Sequence, residues 1–240
     1  VPIIEEDTKF LINESCRITS NCNTVISCNK FKILSSSVSL SNISFKTGIL
    51  IRDVENISIK NCTFKESASL DGAITICDSQ NIFLSHLDIT ETDNIPGIYI
   101  KENSVVSAES INMHNITDTF LVCYGSSYFS IKDSNFHHSG GNAFYVYDQS
   151  IIEISNCSFS QTEYPAIFIS NSQCDIQNNN FYDIDKNGIS IDSSKDFMIK
   201  NNKLTNIKDT AIRVGKQSFG KINENFFSKI EGNGINCNDS

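Results

Sequence analysis

Asn56-Ile57-Ser58-Ile59-Lys60-Asn61-Cys62-Thr63-Phe64 is a sentence the chain keeps rewriting. Its apolar residues alternate at Ile57, Ile59, Cys62 and Phe64, and Asn61 breaks the phase. Alternation with period two marks strand. One broken phase therefore predicts two short strands meeting at a sharp bend, both facing one interior. The same phrase returns as Glu153-Ile154-Ser155-Asn156-Cys157-Ser158-Phe159, as Asp175-Ile176-Gln177-Asn178-Asn179-Asn180-Phe181 and as Met198-Ile199-Lys200-Asn201-Asn202-Lys203-Leu204.

Outward from these copies a third strand emerges. Gly48-Ile49-x-Ile51, Ala73-Ile74-x-Ile76, Gly97-Ile98-x-Ile100, Ala143-Phe144-x-Val146 and their later equivalents put a small residue before an alternating apolar pair. The anchors Ile49, Ile74, Ile98, Leu121, Phe144, Ile167, Ile189, Ile212 and Ile235 recur at intervals near 23 residues. Second strands carry Ile59, Leu84, Ala108, Ile131, Ile154, Ile176, Ile199 and Ile222, and third strands carry Phe64, Ile89, Met113, Phe136, Phe159, Phe181, Leu204 and Phe227. Three short strands per repeat, each with inward period two, predict an all-β fold: a right-handed parallel β-helix of about nine coils of ~23 residues. A single domain follows, with 1–31 as N-terminal cap and irregular first coil and 32–240 as the β-helix. Asn61, Asn156, Asn178 and Asn201 take one corner, which predicts a ladder of side-chain amides between coils.

Composition narrows the function classes. The net charge of −9 is spread along the 240 residues, which argues against nucleic acid, whose binders carry a basic stripe. No apolar run approaches the ~18 residues of a membrane-spanning helix. Nine cysteines lie at scattered spacings without a zinc-like set. Cys62 and Cys157 read as small apolar fillers of inward slots. Cys16, Cys22 and Cys28 form the one cluster in which a disulfide is plausible. No cofactor is expected.

The repeated Ile-x-Asn-x-x-Phe followed by Gly/Ala-Ile-x-Ile resembles the right-handed β-helix repeats of the pectate-lyase-like superfamily, including NosD-type repeat proteins, over roughly residues 32–237. Asn61-Cys62-Thr63-Phe64 followed by Asp71-Gly72-Ala73-Ile74 is also similar to the repeats of polymorphic outer-membrane-type adhesins. The resemblance implies an architecture that serves lyases, hydrolases, epimerases, tailspikes and adhesins alike, so function must come from particular side chains.

Three constellations present themselves. Asp53, Asp78 and Glu102 follow the first strand in successive coils, with Asp148 two coils on, a column able to supply an acid and a base for glycoside cleavage. Asp is also an ordinary residue for leaving a strand. The arginine, histidine and Asn-Thr-Asp motifs of pectate lyases and polygalacturonases are missing, and Arg17, Arg52 and Arg213 are the only arginines. His114 and His137 share a column, with His138 beside them, a possible transition-metal pair at a turn where histidine also occurs without a metal. Tyr99, Tyr145, Tyr147 and Phe168 alternate with the inward set of the first strand, with Cys123 or Tyr124 taking that position in the coil between, which predicts rings on one exposed face able to stack on sugars or anchor a protein.

These readings point to a non-catalytic binding or adhesion module for carbohydrate or a protein partner, extracellular or on a cell surface. The alternatives are a polysaccharide lyase or glycoside hydrolase using the carboxylate column, and a cytoplasmic β-helix serving as substrate-recognition part of a larger protein. The final first strand, Gly234-Ile235-Asn236-Cys237, predicts that the last coil is continued or covered by another chain.

Overall fold

The computed structural model describes residues 3–4, 9–28, 30–67 and 70–238, with the side chains of 3–4 and 21–23 outside that description. Among the described residues every regular element is a strand, all pairings are parallel, and two sheets result, one 16-stranded and one 11-stranded. The chain is a right-handed parallel β-helix. The smaller sheet stacks the first strands, so that Phe10, Phe31, Ile49, Ile74, Ile98, Leu121, Phe144, Ile167, Ile189, Ile212 and Ile235 form one inward column. Every predicted anchor lies in it. The columns from Ile59 to Ile222 and from Phe64 to Phe227 are also in the predicted register, and both belong to the larger sheet. Lys9–Ile12 and Arg17–Ile26 join the same two sheets, with an irregular register between Thr19 and Thr24.

Stacking like on like fills the interior. Phe45 lies 4.9 Å from Phe64, Phe136 5.0 Å from Phe159, and Phe159 4.9 Å from Phe181, each pair nearly parallel. All of these rings are fully buried. Each removes on the order of 1.5–3 kcal/mol worth of apolar surface from water. In the last coil Phe219, Phe226 and Ile235 are exposed.

The corners are made by residues in the left-handed region. Asn61, Asn156, Asn178 and Asn201 have φ of 51, 55, 57 and 55°, and His86, Ser110, Asp133 and Glu224 take the same conformation at this corner of other coils. The expected ladder through these asparagines is not what forms. All four side chains are exposed, and among the described residues the one bond between coils they make is from Asn156 Nδ2 to Asp133 Oδ1, at 3.2 Å. A left-handed residue turns its own side chain out and the next one in, so the buried ladder lies one residue later. Asn179 and Asn202 are buried, and the amides of Cys157, Asn179 and Asn202 donate to Oδ1 of Asn179, Asn202 and Asn225 at 2.8, 2.9 and 2.9 Å.

A second ladder, of serines, holds the corner after the first strand. The amides of Ser79, Ser104, Ser127, Ser150, Ser172 and Ser194 donate to the hydroxyl of the serine one coil up, ending at Ser218, over 3.1–3.3 Å. Ser104 and Ser127 return their own protons to the carbonyls of Lys101 and Tyr124 at 2.6 and 2.8 Å. The hydroxyls of Ser104 and Ser127 are thereby satisfied twice.

Cysteines contribute as fillers. Cys62 and Cys157 sit in the corner column, as expected. Burial raises the thiol pKa of both, that of Cys157 to about 12, so they stay protonated and unreactive. Cys16 and Cys28 are free thiols, so neither joins the disulfide considered for the N-terminal trio. The side chain of Cys22 lies outside the described residues.

Candidate functional site

The outward face of the 11-stranded sheet carries two columns, because residues two apart on a strand share a face. One runs Leu50, Thr75, Tyr99, Val122, Tyr145, Phe168, Ser190, Arg213. The other holds Arg52, Cys77 and Lys101 in register and continues at the strand ends through Tyr124, Tyr147 and Ser170. Thr75 and Cys77 are buried, and the aromatic part begins one coil above them, at Tyr99.

From Tyr99 the rings touch in sequence. Tyr99 meets Tyr124 edge-on at 5.6 Å, Tyr124 stacks on Tyr147 at 5.0 Å with planes 1° apart, Tyr147 meets Tyr145 at 5.0 Å, and Tyr145 meets Phe168 at 5.4 Å. Four sequence-predicted residues are brought together, and Tyr124 is the link that joins them. Of the two residues expected in that coil, Cys123 is buried in the interior and Tyr124 carries the ring, two residues beyond the outward but buried Val122. Gly125 follows at φ 70°, the one described glycine in the left-handed region, and makes the corner that leaves Tyr124 at the strand end. With coils ~4.8 Å apart, three steps from Tyr99 to Phe168 make a platform roughly 14 Å long.

The surroundings fix the first ring. Tyr99 donates from its hydroxyl to that of Tyr124 at 3.4 Å, and burial, helped by this neighbour, pushes its pKa up to about 12. Lys101 Nζ lies 5.4 Å from the Tyr99 ring centre and 3.0 Å from Asp71 Oδ2. Burial alone would lower the lysine's pKa, but Asp71 outweighs it and holds it raised. Burial also raises Tyr147, with Tyr99, Tyr145 and Asp148 adding to the effect. Phenols held neutral keep electron-rich faces suited to stacking. Tyr145 is the most open of the five rings, at 37 % exposure.

The carboxylate candidates stand at the corners that follow this sheet. Asp53, Asp78 and Glu102 lie at consecutive corners with φ of 54, 45 and 58°, and Asp148 has 59°. All four are exposed. Asp tolerates this left-handed corner better than most residues, which accounts for Asp53, Asp78 and Asp148 by conformation alone. Glu102 accepts a hydrogen bond from Cys77 Sγ at 2.7 Å. Burial first, then this carboxylate, raises the Cys77 pKa. Arg213 donates to Ser190 Oγ at 3.4 Å, and Arg17 and Arg52 are exposed.

The histidines are indeed stacked, His114 on His137 at 5.2 Å with planes 5° apart. Their nitrogens do not converge. His114 Nε2 faces Asp88 Oδ1 at 3.3 Å, whereas His137 Nδ1 faces His138 Nδ1 at 2.8 Å. Burial and the two neighbouring imidazoles lower the His137 pKa. Among the described residues no three His, Cys, Asp or Glu side chains are placed to hold one metal ion.

The sequence profile of the right-handed β-helix region family matches residues 119–240, just over half of the chain. The chain belongs to that family. No curated protein matches the chain. Solved structures that resemble it include an exopolygalacturonase from Thermotoga maritima (TM-score 0.53, 10 % identity, 98 % of this chain and 83 % of that one). The Streptococcus pneumoniae surface adhesin PfbA (0.49, 13 %, 97 % and 82 %) and the A-module of the Azotobacter vinelandii mannuronan C-5 epimerase AlgE6 (0.48, 10 %, 96 % and 88 %) are similar as well. At these identities the likeness is one of fold. Adhesins, epimerases and hydrolases are thus among the structures the chain resembles, and none of their residues carries over. Among the described residues no helix is long and apolar enough to cross a membrane.

Proposed function

We propose that the protein is a non-catalytic binding module that takes carbohydrate on the ring ladder, at a cell surface or outside the cell. One observation carries the reading: five rings from four successive coils touch in an unbroken chain on a sheet face. Rings in the interior are explained by burial, but Tyr145 is exposed and Tyr99, Tyr124, Tyr147 and Phe168 are only half-buried. A row of fixed apolar faces with phenol hydroxyls at its edges matches the alternating apolar faces and hydroxyls of a sugar chain. The rigid parallel coils hold the rings in place before binding, which reduces the ordering cost.

A glycan array, followed by a reducing-end assay on the same preparation, tests this. Retention of a glycan without shortening it is the expected result. Replacing both Tyr145 and Tyr147 by Ala should weaken retention about tenfold, at an unchanged melting temperature. Shortening of the glycan that Asp78→Asn slows would reject binding without catalysis and favour the lyase or hydrolase. Retention by neither route, with tagged protein found in the cytoplasm, would favour the substrate-recognition role.

A further inference from the structure

We infer that the ligand of the ring ladder is an uncharged polysaccharide lying along the helix axis. This rests on the carbohydrate-binding reading and adds the chemical class and the direction of the chain.

The direction follows from the stacking. The rings advance one coil at a time from Tyr99 to Phe168, so the row of faces runs across the strands and along the axis. A sugar chain laid along a single strand would meet at most two of them.

The class follows from charge. Recognition of a carboxylate or sulfate polymer calls for Lys or Arg facing the ligand, since paired cationic donors supply both the affinity and the geometry. The four ring-bearing segments, 91–104, 117–127, 140–150 and 163–173, contain one cation, Lys101. That cation is engaged by Asp71 at 3.0 Å, and its side chain is 13 % exposed. The same segments contain six carboxylates, Glu91, Asp93, Glu102, Asp118, Asp148 and Glu163. Glu91 is paired with Lys65 at 3.3 Å, and Asp118 accepts from the Thr119 amide at 2.6 Å. Glu102 and Asp148 stay exposed at the corners that directly follow Lys101 and Tyr147. The platform itself is neutral and its rims are acidic, so a polyanion meets repulsion and finds no partner. Carboxylates at the rim do accept hydrogen bonds from sugar hydroxyls. Arg52 and Arg213 share the outward face, but each is two coils beyond the nearest end of the ring row.

Affinity electrophoresis of the whole chain decides the matter, in gels carrying neutral xyloglucan, mixed-linkage glucan or galactomannan, anionic polygalacturonate or alginate, or cationic chitosan, at about 20 mM and about 500 mM salt. The expected result is retardation by at least one neutral polymer, unchanged by salt and reduced about threefold by Tyr147→Ala, with none by the polyanions. Oligosaccharides of the retained polymer should gain affinity with length until they cover the row. Retardation by polygalacturonate or alginate, or by chitosan alone, lost at high salt, would overturn the uncharged class while leaving a binding module. Equal affinity for monosaccharide and long oligomer would overturn the axial direction. Retardation by none of the polymers would overturn this inference and the binding function together.

Discussion

The lower and upper coils solve the same corner in two ways. In the lower coils the corner column is Cys62, Leu87 and Ile111, and the backbone ladder runs straight through it, as the unbroken strands Glu55–Lys65, Gln80–Thr90 and Val105–Ile116 record. From Ser134 upward the column is Ser134, Cys157, Asn179, Asn202 and Asn225, and each coil is split into two strands there. The switch falls where the Ile111 amide donates to Ser134 Oγ at 3.0 Å rather than to a backbone carbonyl. A side-chain oxygen one coil up has replaced the carbonyl. The left-handed residue before it is common to both halves, so backbone conformation and hydrogen-bond partner are separable features of one turn. An apolar corner residue in the lower coils leaves the ladder to the backbone, whereas a side-chain oxygen takes it over at Ser134, Asn179, Asn202 and Asn225 and must then be satisfied itself; Cys157, between them, offers none.

The largest test of that contrast is Asn202→Leu. Asn202 Oδ1 accepts from the backbone amide and Nδ2 of Asn179, and its Nδ2 donates to the Ile176 carbonyl and to Asn225 Oδ1. Removing it strands buried groups above and below, at a cost on the order of 3–5 kcal/mol. Chemical denaturation measures it as a lowered midpoint at constant slope. The reverse exchange, Leu87→Asn, buries an amide between Cys62 and Ile111, neither of which extends a ladder. A loss of about 2–4 kcal/mol is expected by the same measurement. Near-neutral behaviour would mean that the lower corner can switch mode, and the contrast would collapse.

Ser127→Ala removes one acceptor for the Ser104 amide and one donor to the Tyr124 carbonyl. It should cost about 1–2 kcal/mol. It also frees the backbone that carries Tyr124, so weaker glycan retention should accompany the loss. Asn178→Gly is the smallest change. That side chain is exposed and glycine adopts its φ of 57° freely, so stability should stay within about 0.5 kcal/mol.

Much of this was legible in the sequence, and the exceptions share a cause. Inward positions are read from alternation, and Ile98, Leu121 and Phe144 fall in the register their spacing predicts. Asn178 and Asn179 are the same residue type side by side, so composition cannot say which of them faces in. The alignment of Asn179 with Cys62 and Cys157, two residues already placed inside, was the available signal. The serine ladder repeats at the interval of the anchors, but serine is common enough in this chain to hide a column. Of the ring ladder, Tyr99, Tyr145, Tyr147 and Phe168 follow from alternation. The coil between was legible only as Cys123 or Tyr124; Tyr124 is the outward one, two residues beyond Val122 as Tyr147 is two beyond Tyr145, and both stand just past their strands.

The seven tyrosines provide the most direct test of the ring ladder as a binding surface. Four of them, Tyr99, Tyr124, Tyr145 and Tyr147, belong to the ladder, and Tyr128, Tyr164 and Tyr182 lie on other faces and serve as internal controls. With ring-labelled tyrosine, a magnetic-resonance titration with the retained glycan should move the four ladder signals along one binding curve and leave the other three in place. Movement of Tyr128, Tyr164 or Tyr182 with the ladder signals unmoved would contradict the account.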